Sequence, residues 1–232
     1  MKEIEYIKVY GLERSGTNIL ELLLNNLFNG KAIVLVNRAP NPVSVHRREG
    51  SIWAWKHGYP DPLLGTFKKL KAIAIVKNPY AWVVSLYNHL CEAGYNVGFH
   101  DAAKAKMSIA DMLEEPVYDS LHPIARWVRC NRSYVDCQYC KVIRYEDLIK
   151  HPHNTIRDIV SFVDIEPNNI GNGALYFKNK ASTVGTLTEK SFDVDYYKKK
   201  KYMDSLTNDN INVIKNHLDP CRQLLLRLKY AV

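Results

Sequence analysis

Apolar residues along this chain follow two alternating patterns. Short apolar or alternating runs predict strands, whereas apolar positions three and four residues apart predict amphipathic helices. The predicted strands cover 4–10, 32–36, 52–56, 72–76 and 140–145. The predicted helices cover 17–28, 79–91, 108–114, 121–131, 147–163 and 208–229, and Pro220 is expected to break or kink the last one. Strands that alternate with helices predict an α/β fold with a parallel sheet covered by helices.

Three segments between these elements follow neither pattern. They are 37–51, which is rich in proline and basic residues, 94–107, and 166–207. Long loops in a compact domain are often lids or binding loops. The chain has 232 residues with 47% apolar content, which is enough for one sizeable core. We therefore expect residues 1–232 to form a single domain.

The net charge of the chain indicates which classes of partner it can bind. There are 32 Lys and Arg against 24 Asp and Glu, a net charge of +8. This balance fits an anionic ligand, nucleic acid or an acidic membrane surface. A nucleic-acid-binding module would need a reading helix or an aromatic platform, and the sequence contains no recognisable example of either. It also contains no signal-peptide pattern and no apolar run near the roughly 20 residues of a membrane span, so a cytoplasmic location is predicted.

The cysteines do not predict a metal site. Cys137 and Cys140 have the spacing of half a zinc site, and Cys130 lies nearby. A zinc site needs a second pair at suitable spacing, which this sequence lacks. An odd total of five cysteines also argues against a disulfide framework. We expect buried or incidental thiols and no bound metal.

The most informative pattern lies between the first strand and the first helix. Gly11 and Gly16 bracket a tight turn there, and such a turn offers several backbone N–H groups to one anion. The spacing is that of a Walker A loop. Thr17 and Asn18, however, stand where a nucleotide triphosphatase needs Lys followed by Ser or Thr, and the cation comes earlier, at Arg14. The pattern favours a phosphate-like group other than the β,γ end of a magnesium nucleotide, and a P-loop kinase is the alternative.

A second anion site is predicted at the end of the strand at 72–76. Lys77 ends that strand, Asn78 is a good helix N-cap, and Pro79 suits the first helical position. In open α/β sheets, ligands bind at this edge. Taken alone, Lys77 is better explained as a solvated lysine beside a well-formed cap.

Together, these segments resemble the sulfotransferase family. Residues 77–79 followed by Ser85 and Tyr87 are similar to the family motif Arg-Asn/Asp-Pro-(five residues)-Ser-x-aromatic, whose Arg and Ser bind the 3′-phosphate of 3′-phosphoadenosine 5′-phosphosulfate (PAPS). Residues 14–17, Arg-Ser-Gly-Thr, are similar to the loop that binds the 5′-phosphosulfate. The resemblance implies a three-layer, P-loop-like domain that uses PAPS as co-substrate, releases 3′,5′-ADP and needs no metal. It also implies that Arg14, Ser15, Gly16, Thr17 and Asn18 contact the donor.

A third match extends the resemblance and two departures limit it. Residues 144–148, Arg-Tyr-Glu-Asp-Leu, are similar to a family segment that places its Tyr near the adenine, so Tyr145 is a further donor-binding prediction. Glu146 and Asp147 are explained as favourable charges at a helix N-terminus. Lys77 stands in place of the usual Arg, and the family's C-terminal Arg-Lys-Gly motif is absent. Residues 179–185 are the candidate replacement, which makes Lys180 a predicted donor ligand.

The predicted catalytic base is His57. It follows the aromatic segment 53–56 and resembles the His of the family's Lys-Thr-His-Leu-Pro segment, with the register open by one residue because Lys56 and His57 are adjacent. The ordinary pKa of histidine suits a base near neutral pH. His46 is the main rival, and Glu49 and Glu13 are in reserve because relatives that act on sugars use Glu. Lys56 is predicted to touch the transferring sulfuryl group, and Arg14 to stabilise the leaving 5′-phosphate.

The acceptor is left open by the sequence. A small alcohol or phenol, a sugar, a peptide tyrosine and an amine all fit a transferase of this kind, because fold does not set substrate. The basic run 198–201 is interpreted as a solvated face. The oligomeric state is not predicted.

Overall fold

A parallel sheet forms the centre of the structure. The structure, a computed structural model, describes residues 5–36, 56–60, 62–92, 107–116, 120–168 and 194–230. The strands of these residues are β1 (Glu5–Tyr10), β2 (Ala32–Leu35), β3 (Leu70–Val76) and β4 (Cys140–Arg144). Their order is β2-β1-β3-β4, and every neighbouring pair is parallel. All four strands therefore end at the same edge, where the loops after β1, β3 and β4 meet.

Helices cover both faces of this sheet. They are α1 (Thr17–Phe28), α2 (Pro79–Glu92), α3 (Ile109–Glu114), α4 (Pro123–Asp136), α5 (Tyr145–Lys150), α6 (Pro152–Val163), α7 (Val194–Lys198), α8 (Asn208–Leu218) and α9 (Arg222–Arg227). Short 3₁₀ helices lie at Pro62–Thr66, Lys201–Ser205 and Asp219–Cys221.

The strands feed two hydrophobic cores because successive side chains point to opposite faces. Ile73 and Ile75 of β3 join the core that packs under α1, α5 and α6. Ala72, Ala74 and Val76 join the core under α2, α3, α4, α8 and α9. The predicted three-layer α/β fold with a central parallel sheet is confirmed.

Two predicted helices are divided by proline. The prediction of one helix at 147–163 is wrong, since α5 ends at Lys150 and α6 begins at Pro152. Proline fits the first turn of a helix but not its interior, so a new helix begins there. The predicted break at Pro220 is confirmed by the 3₁₀ turn between α8 and α9.

The other differences concern the irregular segments. The segment 166–207, in which the periodicity predicts no element, contains α7 and a 3₁₀ helix. These elements are five residues each, too short for a clear helical period. Helix α4 extends to Asp136, beyond the predicted end at 131. The predicted strand at 52–56 lies outside the described residues except for Lys56, which is in a turn.

Candidate functional site

The first loop, residues 11–16, joins β1 to α1 in a conformation that needs glycine. Gly16 is the N-cap of α1 at φ 103°, in the left-handed region. A Cβ at Gly16 would lie 2.4 Å from the Tyr145 ring, closer than any real contact. The loop can therefore pack against that ring only because residue 16 has no side chain. Arg14 also has a left-handed backbone, at φ 63°, and its side chain is exposed at this edge.

The start of α1 suits an anion. Its N-cap glycine supplies no side-chain cap, and its first turn contains no acidic residue. The N-terminal N–H groups of a helix and its dipole attract negative charge. Ser15, in contrast, directs both its N–H and its hydroxyl to the Leu12 carbonyl, at 3.1 and 2.5 Å. In this conformation the Ser15 side chain shapes the loop.

Lys77 lies directly beside the first loop. Strands β1 and β3 are neighbours, so their C-terminal ends bring Arg14 and Lys77 together. The buried Lys77 Nζ donates to the Arg14 carbonyl at 3.3 Å. It also lies 4.5 Å from the ring centre of Tyr145 and 5.2 Å from that of Tyr197. The two anion-binding motifs thus form one site.

The surroundings of Lys77 make its charge sensitive to pH. Burial lowers the pKa of Lys77 to about 7, because desolvation disfavours the ammonium ion. The nearby Glu146 opposes this shift, and Arg14 adds to it. A bound anion beside Lys77 would favour the charged form.

The turn that contains His57, residues 56–60, hydrogen-bonds to the first loop. The Gly11 N–H donates to the Lys56 carbonyl at 2.9 Å, and His57 Nδ1 lies 2.6 Å from the Gly11 carbonyl. Because a carbonyl can only accept, Nδ1 is the protonated nitrogen, and a neutral ring then has its lone pair on Nε2. Lys56 Nζ donates to Asn18 Oδ1 at 2.7 Å. His57, Lys56 and the first loop therefore lie close together.

The environment of His57 keeps its ring neutral. Burial is the main reason why the pKa of His57 is lowered to about 3, and the positive charges of Lys56 and Arg126 contribute to the same shift. Hydrogen bonding to Gly11 opposes this shift. At neutral pH, the His57 ring is therefore uncharged, but it is a weak base.

Glu13, the reserve candidate for the catalytic base, forms an ion pair. Arg126 Nη2 donates to Glu13 Oε1 at 3.1 Å, and both side chains are largely buried. Trp82 Nε1 donates to the Glu13 carbonyl at 2.7 Å. The Glu13 side chain is thus bound to α4 and its carbonyl to α2, so Glu13 serves here as an anchor for the loop.

The remaining predicted residues are spread more widely. Ser85 is partly buried and lies on α2, whose N-cap Asn78 accepts bonds from the next turn, as predicted. Tyr145 is buried beneath Gly16 and Lys77. Lys180, His46 and Glu49 lie outside the described residues. Lys198, Lys199, Lys200 and Lys201 are exposed, as the solvated-face interpretation predicts.

Sequence reasoning missed the residues that support this site. Trp127 Nε1 donates to the Lys77 carbonyl at 3.0 Å, and Tyr134 OH to the Gly58 carbonyl at 3.0 Å. Glu146, interpreted only as a favourable charge at a helix start, also accepts from the Asn78 N–H at 2.9 Å and from the Tyr230 hydroxyl at 2.9 Å. A signal was available in α4, where Arg126 lies between the apolar residues 124 and 127 of a helix face.

A sequence-family comparison identifies the family of the chain. The model of the sulfotransferase domain family matches residues 6–220. The chain belongs to the sulfotransferase family. The reaction class is therefore sulfuryl transfer, and the match favours this class over the P-loop kinase and the nucleic-acid-binding module.

The structural comparison supports the fold of this sulfotransferase. The mouse sulfotransferase SULT7A1, solved in complex with PAP, superposes with a TM-score of 0.55 at 15% sequence identity. The match covers 98% of this chain and 89% of the mouse chain. A search of curated proteins gave no match.

Among the described residues, no helix is long and apolar enough to cross a membrane, and no group of three or more His, Cys, Asp or Glu side chains could hold a metal.

Proposed function

We propose that this sulfotransferase moves a sulfuryl group from PAPS to a hydroxyl or amine acceptor and releases 3′,5′-ADP. One observation carries the proposal: Lys77 and the His57 turn each hydrogen-bond to the Arg14 loop, so the three segments converge at one edge of the sheet. The mouse structure contains PAP, which is 3′,5′-ADP.

The residues present fit such a donor. A phosphosulfate needs backbone N–H groups and cations, and the α1 N-terminus provides the first without a competing cap or acidic residue. Arg14, Lys56 and Lys77 provide the second around the same loop. When bound, PAPS would supply an activated sulfuryl group and a phosphate leaving group.

The two ends of the donor have different protein partners in this proposal. Arg14, Thr17 and Asn18, with the backbone of Ser15 and Gly16, hold the 5′-phosphosulfate. Lys77 and Ser85 hold the 3′-phosphate, and Lys180 closes on it. Tyr145 forms part of the adenine side, which its position beneath Lys77 supports.

His57 acts as the general base. Its Nε2 takes the acceptor proton as the acceptor oxygen bonds to sulfur and the bond from sulfur to the phosphate oxygen breaks. Lys56 contacts the sulfuryl oxygens, and Arg14 stabilises the charge that develops on the leaving phosphate. The protein's main work is to position the reactants and neutralise charge, as in phosphoryl transfer.

A base with a pKa near 3 is weak, and donor binding corrects this. The positive charge of Lys56 is one of the causes of the low pKa of His57. A sulfuryl group beside Lys56 brings negative charge, which raises the pKa of His57 toward the range in which general bases are effective.

The proposal gives only the chemical class of the acceptor, a hydroxyl or amine compound. Small molecules, sugars and peptide hydroxyls each stay a prediction, as do the single domain over residues 1–232 and the cytoplasmic location. Nucleic acid is not a proposed partner.

The function is tested by ligand binding and turnover together. Calorimetry should show that 3′,5′-ADP binds without metal and that ATP with magnesium does not compete. A screen of hydroxyl and amine acceptors with sulfur-labelled PAPS should then give a labelled product. Preference for ATP with magnesium, or steeply salt-dependent nucleic-acid binding without 3′,5′-ADP affinity, would contradict the proposal.

A further inference from the structure

Helix α4 contacts all three segments that meet at the site. Trp127 reaches the Lys77 carbonyl, Tyr134 reaches the Gly58 carbonyl, and Arg126 reaches the first loop through Glu13. None of these α4 residues belongs to the loops that carry the proposed chemistry. Helix α4 therefore supports the first loop, Lys77 and the His57 turn at the same time.

Arg126 is the α4 residue that contacts both the first loop and the His57 turn. Its Nη2 atom donates to Glu13 Oε1 at 3.1 Å and lies 3.5 Å from the His57 carbonyl. The side chain is only 1% exposed. Both contacts come from the same nitrogen, so a single donor group brings the Glu13 carboxylate and the His57 carbonyl close together. Glu13 belongs to the loop, and His57 to the turn that hydrogen-bonds to it.

We infer that Arg126 is a positioning residue for sulfuryl transfer, which holds the His57 turn in register with the first loop. This inference rests on the proposed function, because it concerns the orientation of the proposed base. The alternative is that the Arg126–Glu13 pair contributes to folding alone. Buried ion pairs are weak evidence for stability, so a role in geometry needs its own test.

The charge of Arg126 provides a direct readout. The groups around His57 are Lys56 on its own turn, the Gly11 carbonyl and Glu13 on the loop, and Arg126 and Tyr134 on α4. Burial is the largest cause of the low pKa of His57, followed by Lys56, and Arg126 acts in the same direction. Removing the charge of Arg126 should therefore raise the pKa of His57, which tests whether the two side chains are close in solution, and kcat in a variant that keeps the charge separates positioning from folding.

The experiment compares Arg126→Met and Arg126→Lys with a control, Arg132→Met, on the exposed side of the same helix. Arg126→Lys keeps the positive charge but replaces the planar guanidinium with an ammonium group on a flexible stem, so it tests geometry even if Arg126→Met fails to fold. For each variant, kcat with a good acceptor, affinity for 3′,5′-ADP and the pKa of His57 by NMR titration are measured. The control should match the wild type in all three.

We expect kcat to fall by about 10²-fold in both Arg126 variants, the typical cost of a misplacement of about 1 Å. Affinity for 3′,5′-ADP should stay near normal, and the pKa of His57 should rise in Arg126→Met but not in Arg126→Lys. Normal kcat in Arg126→Lys, or parallel loss of kcat and 3′,5′-ADP affinity in both variants, would overturn the inference.

The inference and the proposed function can fail separately. If the wild-type chain transfers no sulfuryl group, the proposed function fails on that result. The contact between Arg126 and the His57 turn is then tested by the NMR titration alone. A raised pKa of His57 in Arg126→Met supports this contact, and an unchanged pKa overturns it.

Discussion

The first loop and the His57 turn are adjacent, yet different forces hold them. The loop is continuous with β1 and α1, and its shape depends on Gly16 at φ 103° and on the close packing of Tyr145. The turn is about 40 residues further along the chain and is held by bonds to Gly11 of the loop and to Arg126 and Tyr134 of α4. The left-handed backbone of Gly16 thus shapes the loop together with distant partners, whereas the bonds named for the turn all come from distant partners.

This difference separates binding from chemistry. The loop presents backbone donors and Arg14, which suit the donor's charge, whereas the turn presents His57, which suits the acceptor's proton. Changes in the turn should therefore alter turnover and spare donor affinity. Changes in the loop should alter donor affinity first.

The largest effect is expected at His57. His57→Ala removes the proposed base, and a positioned base contributes about 10²–10⁴-fold to rate, so kcat should fall by that factor. Affinity for 3′,5′-ADP, measured by calorimetry, should stay near normal. The exposed His153 of α6 offers a control, His153→Ala, that should retain full activity. If His46→Ala or Glu49→Ala abolishes turnover while His57→Ala does not, the base lies in segment 37–51.

The opposite pattern is expected for the donor ligands. Arg14→Ala and Lys77→Ala each remove a charged hydrogen-bond donor, which contributes on the order of 1.5–3 kcal/mol. Each should weaken 3′,5′-ADP binding by about ten- to a hundred-fold. Arg157→Ala, on the exposed side of α6, is the matched control for loss of charge. Normal affinity in both Arg14→Ala and Lys77→Ala, with each variant folded, would contradict the proposed donor orientation.

A comparison of two glycines tests how the loop is shaped. Gly16 and Gly30 both have left-handed backbones, at φ 103° and 73°, but a Cβ at Gly30 would meet nothing within 4 Å. Gly30→Ala should therefore cost only its backbone strain, about 1–3 kcal/mol in the free energy of unfolding. Gly16→Ala should cost more and also weaken 3′,5′-ADP binding, because Tyr145 must move. Denaturant unfolding measures the first effect and calorimetry the second. Equal costs in the two variants would show that Tyr145 does not constrain the loop.

The smallest effect is the pH dependence of donor binding. The pKa of Lys77 is about 7 in the unliganded protein, and a bound phosphate favours the ammonium ion. Below pH 7 the ion is already formed. Above pH 7 a proton must be taken up on binding, so affinity for 3′,5′-ADP should fall by up to about tenfold per pH unit.

Lys77→Arg provides the comparison for this effect, because arginine stays charged throughout the range. The difference in pH dependence between the two proteins isolates Lys77 from titration of the phosphate itself. The same slope in both proteins would assign the pH dependence to another group.

The sequence by itself determined the elements formed by contiguous residues. The glycine spacing at 11–16, the buried run at 72–76 and the Asn78-Pro79 start of α2 each depend on local geometry and were predicted correctly. Parallel strands end at a common edge, so even the meeting of Arg14 and Lys77 followed from the pattern. The continuous helix predicted at 147–163 was wrong because its helical period outweighed the proline at 152.

Only the tertiary structure decided which distant side chains complete the site. The bonds from Arg126, Trp127 and Tyr134 of α4, and from Glu146, join groups far apart in the chain, and no local spacing encodes such pairs. The low pKa of His57 and the near-neutral pKa of Lys77 also depend on burial, which packing sets. The motifs specify which chemical groups are available, whereas packing decides their protonation and mutual orientation, because both depend on neighbours brought together by the fold.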